Sequence, residues 1–139
     1  MKAFILAILC VLSASAFAGE AAGVPDISQA DLTKAIADKQ VVVIDVNGSD
    51  SYKQGHIPTA LNYEAIKADL ASKLPADKKA LVVAYCGGPK CEAYKAAASA
   101  AVALGYTNVK HFSAGISGWK TSGAAVEKAD AVPAPAKQN

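Results

Sequence analysis

Apolar residues in this chain fall into two kinds of run. Val41-Val42-Val43-Ile44 and Leu81-Val82-Val83-Ala84-Tyr85 are continuous, with no polar face. Short continuous runs rich in β-branched residues predict strands covered on both sides. Elsewhere the apolar positions fall three and four apart. Leu32, Ala35 and Ile36 predict a helix with Ser28 as N-cap and Asp31 in its first turn, ending near Lys39. Helical spacing returns from Ala65 to Leu74, where Pro75 stops it. An alanine-rich helix is predicted from Glu92 to Leu104, with Gly105 as its C-terminal stop. Tyr106 leads into a short strand, Val109 to Phe112, and Ser113-Ala114-Gly115 turns into a last helix, Ile116 to Thr121, closed by Gly123.

Strands alternating with helices predict α/β layers around a mainly parallel sheet flanked by helices. In such sheets the site lies beyond the carboxyl ends of the strands, where Asp45 and Cys86 both fall.

The two ends of the chain carry different patterns. Lys2, the apolar stretch Phe4 to Leu12 and Ala16-Phe17-Ala18 have the form of a cleaved signal peptide, so the mature protein is expected to begin at Gly19. The apolar stretch is too short to span a membrane. Leu9 before Cys10 is not the small residue that lipoprotein processing favours, so Cys10 is expected to leave with the signal. The predicted organisation is a signal at 1–18, a leader at 19–26, one domain at 27–126 and a disordered tail of Ala, Pro and Lys at 127–139. The protein is therefore expected to be exported, into the periplasm in a Gram-negative bacterium and otherwise to the outside.

Composition narrows the chemistry. Past residue 18, thirteen lysines stand against twelve carboxylates, a formal charge of +1. That balance gives no reason to expect nucleic acid or an anionic membrane as partner. Every basic residue is Lys. Without Arg the chain has no guanidinium fork to clamp a phosphate or other tetrahedral oxyanion.

Cys86 is the residue most suggestive of chemistry. It ends an apolar run and opens the loop Gly87-Gly88-Pro89-Lys90-Cys91, with Glu92 and the alanine-rich helix behind it. Strand, glycine-rich turn and helix start direct backbone N–H groups toward one spot, and a thiol there ionises readily. The N–H groups of Gly87, Gly88, Lys90, Cys91 and Glu92 are the predicted anion cradle; Pro89 has none to offer. Lys90 is the loop's only cation, and is expected to steer an anionic substrate. Two cysteines are too few for a structural zinc site, so neither metal nor organic cofactor is expected.

Three blocks of the chain resemble the single-domain rhodanese family. Val43-Ile44-Asp45-Val46 followed by Gly55-His56-Ile57-Pro58-Thr59-Ala60-Leu61-Asn62 is similar to its "DVR…GHIPGAxN" signature. Ala84 to Cys91 is similar to its catalytic loop, and Gly105-Tyr106 through Ala114-Gly115 and Trp119 to its closing segment. The three lie in the family's order over about residues 27 to 124. The resemblance implies a rhodanese-like three-layer fold and a sulfurtransferase. In that chemistry a Cys86 thiolate takes sulfane sulfur from thiosulfate or a persulfide and holds it as Cys–S–S⁻. It then passes the sulfur to a thiol or cyanide. The implied partners are a small anionic donor and a thiol acceptor, with the protein acting as a monomer. The loop length to Cys91 is that of sulfur transfer. The related phosphatase loop is one residue longer and ends in Arg, where this chain has Glu92.

Asn47 stands where the family usually has Arg, and Thr59 and Ala114 where it usually has Gly. Asp45 and His56 are expected to support the site, by orienting loops and fixing a turn. Trp119, Tyr106 and Phe112 are expected in the core. Cys91 leaves three readings open: a small residue at a helix start, a resolving thiol for Cys86, or half of a structural disulfide. Two alternatives to sulfur transfer follow, a Cys86/Cys91 thiol–disulfide redox protein and a non-catalytic binding module.

Overall fold

The structure, a computed structural model, describes residues 23–129. The signal-like segment and the last ten residues lie outside the described residues, so the signal and most of the expected tail do too. The elements in order are α1 (Gln29–Ala37), β1 (Val41–Asp45), α2 (Ser49–Gln54), β2 (Leu61–Asn62), α3 (Tyr63–Ile66), a 3-10 turn (Lys67–Asp69), α4 (Leu70–Lys73), β3 (Leu81–Tyr85), α5 (Tyr94–Ala103), β4 (Val109–His111) and α6 (Gly115–Thr121).

The four strands form one all-parallel sheet in the order β2-β1-β3-β4. It is the α/β architecture with helices on both faces that the alternating pattern predicts. Side chains alternate across the central strands. Val43, Val83 and Tyr85 join Ile27, Leu32, Ile57, Phe112 and Trp119 in one core. Ile44, Val82 and Ala84 join Leu70, Tyr106, Val109 and the alanines of α5 in the other. The continuous apolar runs are thus explained, because each strand must satisfy two cores. Ala97, Ala98 and Ala101 are all buried, and their small side chains let α5 lie close on the sheet. Phe112 and Trp119 meet edge to face, with centroids 6.0 Å apart.

Local chemistry sets the element ends. The Ser28 side chain accepts the Asp31 N–H at 3.1 Å and starts α1. The helical stretch expected over 65–74 is instead α3, a 3-10 turn and α4. Asn62 caps it earlier than the spacing implied, accepting the Glu64 N–H at 3.1 Å. Asp69 then leaves the helical region at φ −130°, ψ 27°, and Ser72 Oγ donates to its carbonyl.

The domain extends past both expected boundaries. Pro25 and Asp26, placed in the leader by sequence, continue the sheet edge. His111 N–H donates to the Pro25 carbonyl, and Ile27 N–H to the His111 carbonyl, both at 2.8 Å. At the other end Glu127, placed in the tail, pairs antiparallel with His56 through two hydrogen bonds of 2.9 Å. Both segments are short: Val24 and Val126 pack against the two cores and backbone pairing does the rest, which is too few apolar positions to show a period.

Candidate active site

Cys86 follows β3, one of the two central strands, at the carboxyl edge of the sheet. It is 1% exposed. In the structure it is bonded to Cys91, with the two Cα atoms 6.2 Å apart. Cys91 is only half-buried, while Pro89 and Lys90 at the loop apex are exposed. A shallow, mostly apolar concavity of about 550 Å³ lies over Gly88, Pro89, Lys90 and Cys91.

The loop rests on the first turn of α6. Ile116 N–H donates to the Cys86 carbonyl at 2.9 Å, and Ser117 N–H to the Gly87 carbonyl at 3.1 Å. Gly115 makes this approach possible. It sits at φ +61°, and a Cβ there would lie 2.5 Å from the Cys86 oxygen and 2.6 Å from the Gly88 nitrogen. Gly88 is similarly confined, since a Cβ on it would meet Ser117 Oγ at 2.9 Å. Neither Gly115 nor Ser117 was among the sequence-derived site residues. The positive φ at the helix entry is signalled only by a glycine after a short strand.

The expected cradle differs in two respects. Cys91 N–H is already committed, donating to the Gly88 carbonyl at 3.0 Å in the turn that brings Cys91 back to Cys86. The regular helix begins at Tyr94, because the segment before it winds with i→i+3 bonds from Lys95 to Glu92 and from Ala96 to Ala93. The N–H groups of Gly87, Gly88, Lys90 and Glu92 donate to no group among the described residues. They are not drawn onto the Cys86 sulfur in this bridged form, where that sulfur carries no charge. Glu92 pairs with Lys95 at 2.8 Å, and this lysine holds its carboxyl below the usual range. Lys90 pairs with no carboxylate among the described residues.

Beneath the loop lies a buried polar pair that sequence had assigned only in part. The parallel register sets Asp45 beside Tyr85. Tyr85 OH donates to Asp45 Oδ2 and accepts the Ile57 N–H at 3.0 Å. Asp45 Oδ1 accepts the Asn47 N–H at 2.7 Å and the Asn47 side-chain amide at 2.9 Å. Asn47 thus holds Asp45 through both its main chain and its side chain. Its own amide oxygen lies against Gly87, 3.7 Å from where a Cβ would stand. Burial, then the Asp45 charge, pushes the Tyr85 phenol far above its usual range and keeps it protonated.

His56 belongs to a neighbouring turn. Its ring stacks on Tyr52 with centroids 3.7 Å apart, its Nδ1 is 2.8 Å from the Tyr52 carbonyl, and its Nε2 is 3.7 Å from Glu127. These contacts fix the turn and the C-terminal arm, and none reaches the Cys86 loop. His111, at the end of β4, stacks on Tyr94 at the start of α5, with centroids 3.4 Å apart. No group of three or more His, Cys, Asp or Glu side chains among the described residues is arranged to hold a metal ion.

Comparison with known proteins adds the following. A family profile described as Rhodanese-like domain matches residues 28–122. A curated protein of Mycobacterium tuberculosis, named HTH-type transcriptional regulator Rv0324, is 31% identical over 114 residues, covering 80% of this chain and 49% of that protein. The chain thus spans about half the length of this relative. The crystal structure of the BH2092 protein from Bacillus halodurans is similar at 29% identity and a TM-score of 0.59, covering 75% of this chain and 77% of that one. The human single-domain sulfurtransferase TSTD1 shares the fold at 22% identity and a TM-score of 0.54, covering 71% of this chain and 97% of that one.

Proposed function

This chain belongs to the rhodanese-like domain family, and we propose that it is a sulfurtransferase that carries sulfane sulfur on Cys86. The observation that supports this best is the setting of Cys86. It ends a central strand, in a loop clamped by α6 through the close approach at Gly115, with the Gly87, Gly88, Lys90 and Glu92 N–H groups unspent. Such donors stabilise both a thiolate and a persulfide anion.

Once the bridge to Cys91 is reduced, the Cys86 thiolate attacks the outer sulfur of thiosulfate. The S–S bond of the donor breaks, sulfite leaves, and Cys86–S–S⁻ remains. A thiol or cyanide acceptor then attacks the terminal sulfur and returns the Cys86 thiolate. Lys90, exposed and unpaired among the described residues, draws the dianionic donor to the loop. Asp45 and Tyr85 hold the strand ends beneath it and do not meet substrate.

The bridge itself supports a second reading, in which Cys86 and Cys91 serve thiol–disulfide exchange without carrying sulfur. The same bridge agrees with export to an oxidising compartment after cleavage before Gly19, which N-terminal sequencing of the expressed protein would check. Thiocyanate formation from thiosulfate and cyanide by the reduced protein separates the two readings. Turnover that disappears in Cys86→Ser, with an unchanged melting temperature, supports sulfur transfer. Turnover retained in Cys86→Ser refutes it, and no turnover in either protein leaves disulfide exchange or a non-catalytic binding module.

A further inference from the structure

The Cys86–Cys91 bridge is asymmetric. Cys86 is buried and its carbonyl is fixed to α6, whereas Cys91 is half-exposed at the edge of the concavity over Gly88, Pro89 and Lys90. The bond also shows that Cys91 Sγ reaches the Sγ of Cys86 within this fold, in a turn held by the Cys91 N–H to Gly88 carbonyl bond. A thiol with that reach competes with any external acceptor for a sulfur-loaded Cys86.

We propose that Cys91 is a resolving thiol that turns the carried sulfur into sulfide, making the protein a dithiol-dependent sulfane-sulfur reductase. This rests on the Cys86 persulfide proposed above. In the step, Cys91 Sγ attacks Cys86 Sγ. The Sγ–Sγ bond forms, the bond from Cys86 Sγ to the sulfane sulfur breaks, and the sulfane sulfur leaves as HS⁻ with the proton of the Cys91 thiol. The sulfane sulfur gains two electrons, and the two cysteines supply them by becoming the disulfide. The bridged structure is therefore the product of one turnover.

Regeneration requires a dithiol reductant, and the asymmetry decides where it acts. Its thiolate reaches half-exposed Cys91 rather than buried Cys86. Attack there forms a mixed disulfide on Cys91 and releases Cys86 as the thiolate, the form that accepts the next sulfur. The second thiol of the reductant then frees Cys91. A reduced dithiol is consumed, and sulfite and sulfide are formed, for each thiosulfate.

The test is a single turnover without external acceptor. The protein, reduced, freed of reductant and kept anaerobic, is mixed with thiosulfate, and sulfite, sulfide and intact mass are followed. Wild type is expected to release one sulfite and one sulfide per chain and to lose two hydrogens, with peptide mapping placing the bridge at Cys86–Cys91. Cys91→Ser and Cys91→Ala are expected to release sulfite alone and keep one added sulfur, which also shows that they are folded and load normally. If wild type keeps its sulfur as the variants do, Cys91 does not resolve the persulfide and the inference fails while sulfur transfer stands. If no protein releases sulfite, sulfur transfer fails and the inference with it.

Discussion

Gly115 lies directly beneath Cys86, close enough that a single added carbon would come within 2.5 Å of the Cys86 carbonyl oxygen. The contact joins the loop that carries the thiol to the helix that fixes it. Gly115→Ala meets two penalties, a left-handed backbone at φ +61° and a collision with main chain that cannot swing aside. The conformational part alone costs about 1–2 kcal/mol, and the collision forces the loop outward. The variant should melt well below wild type. At a temperature where it remains folded, sulfur loading should fall at least tenfold more than the folded fraction does. Equal loss of both would show that the contact serves stability only.

Lys90 should act through charge alone, because it is exposed and makes no ion pair among the described residues. Lys90→Glu reverses the field met by thiosulfate without touching packing. The expected result is roughly a tenfold lower kcat/KM at low ionic strength, narrowing toward wild type in about 1 M salt, where the screening length is a few ångströms. The melting temperature should not move. A loss that persists in high salt would mean that Lys90 contacts the donor directly.

Tyr85 is fully buried with both sides of its hydroxyl engaged, donating to Asp45 and accepting from Ile57 N–H. Tyr85→Phe keeps the ring but strands a buried carboxylate oxygen and a buried amide. The loss should be about 2–4 kcal/mol in urea unfolding, from the usual penalty for unsatisfied buried groups. The raised phenol pKa adds a signature at alkaline pH. The unfolded chain releases this proton near pH 10 and the folded one holds it. The stability that Tyr85 contributes is therefore whole below pH 10 and declines above it. The decline should be shallower in Tyr85→Phe.

The layer order was legible because β1 and β3 must be apolar on both faces, and α1 announces itself through Ser28 and Leu32. The nucleophile candidate was legible too, since a cysteine between a strand and a glycine pair is a local pattern. What stayed hidden was non-local or polar. Helix α2 has no buried residue, and β2 contributes only Leu61 and Asn62, so neither shows a periodicity. Thr59 occupies φ +68°, which explains why glycine is usual there in the resembling family, but the residue itself does not report it. Glu127 accepts the Thr59 N–H at 3.0 Å and pairs with His56, joining positions far apart in the chain. The Gly115 and Tyr94–His111 contacts are of the same non-local kind.

His111 gives the remaining prediction, on the acid side. Its ring is stacked on Tyr94 and its Nε2 is buried with no hydrogen-bond partner among the described residues. Burial lowers its pKa, and the opposing pull of the Asp26 charge does not reverse this. Near pH 6.5 the unfolded imidazole takes up a proton that the folded one refuses. The unfolded state thus binds more protons, so stability is present above that pH and drains as pH falls through it. His111→Phe keeps a flat ring against Tyr94 and removes both the stranded nitrogen and the titration. It should equal or exceed wild type at neutral pH, by up to about 1–2 kcal/mol given the penalty for an unpaired buried polar atom. It should also lose the stability slope between roughly pH 7 and 5, above the range where carboxylates titrate. Urea midpoints across that interval decide the matter. Parallel slopes in the two proteins would show that His111 finds a way to charge in place, and that the stack with Tyr94 tolerates it.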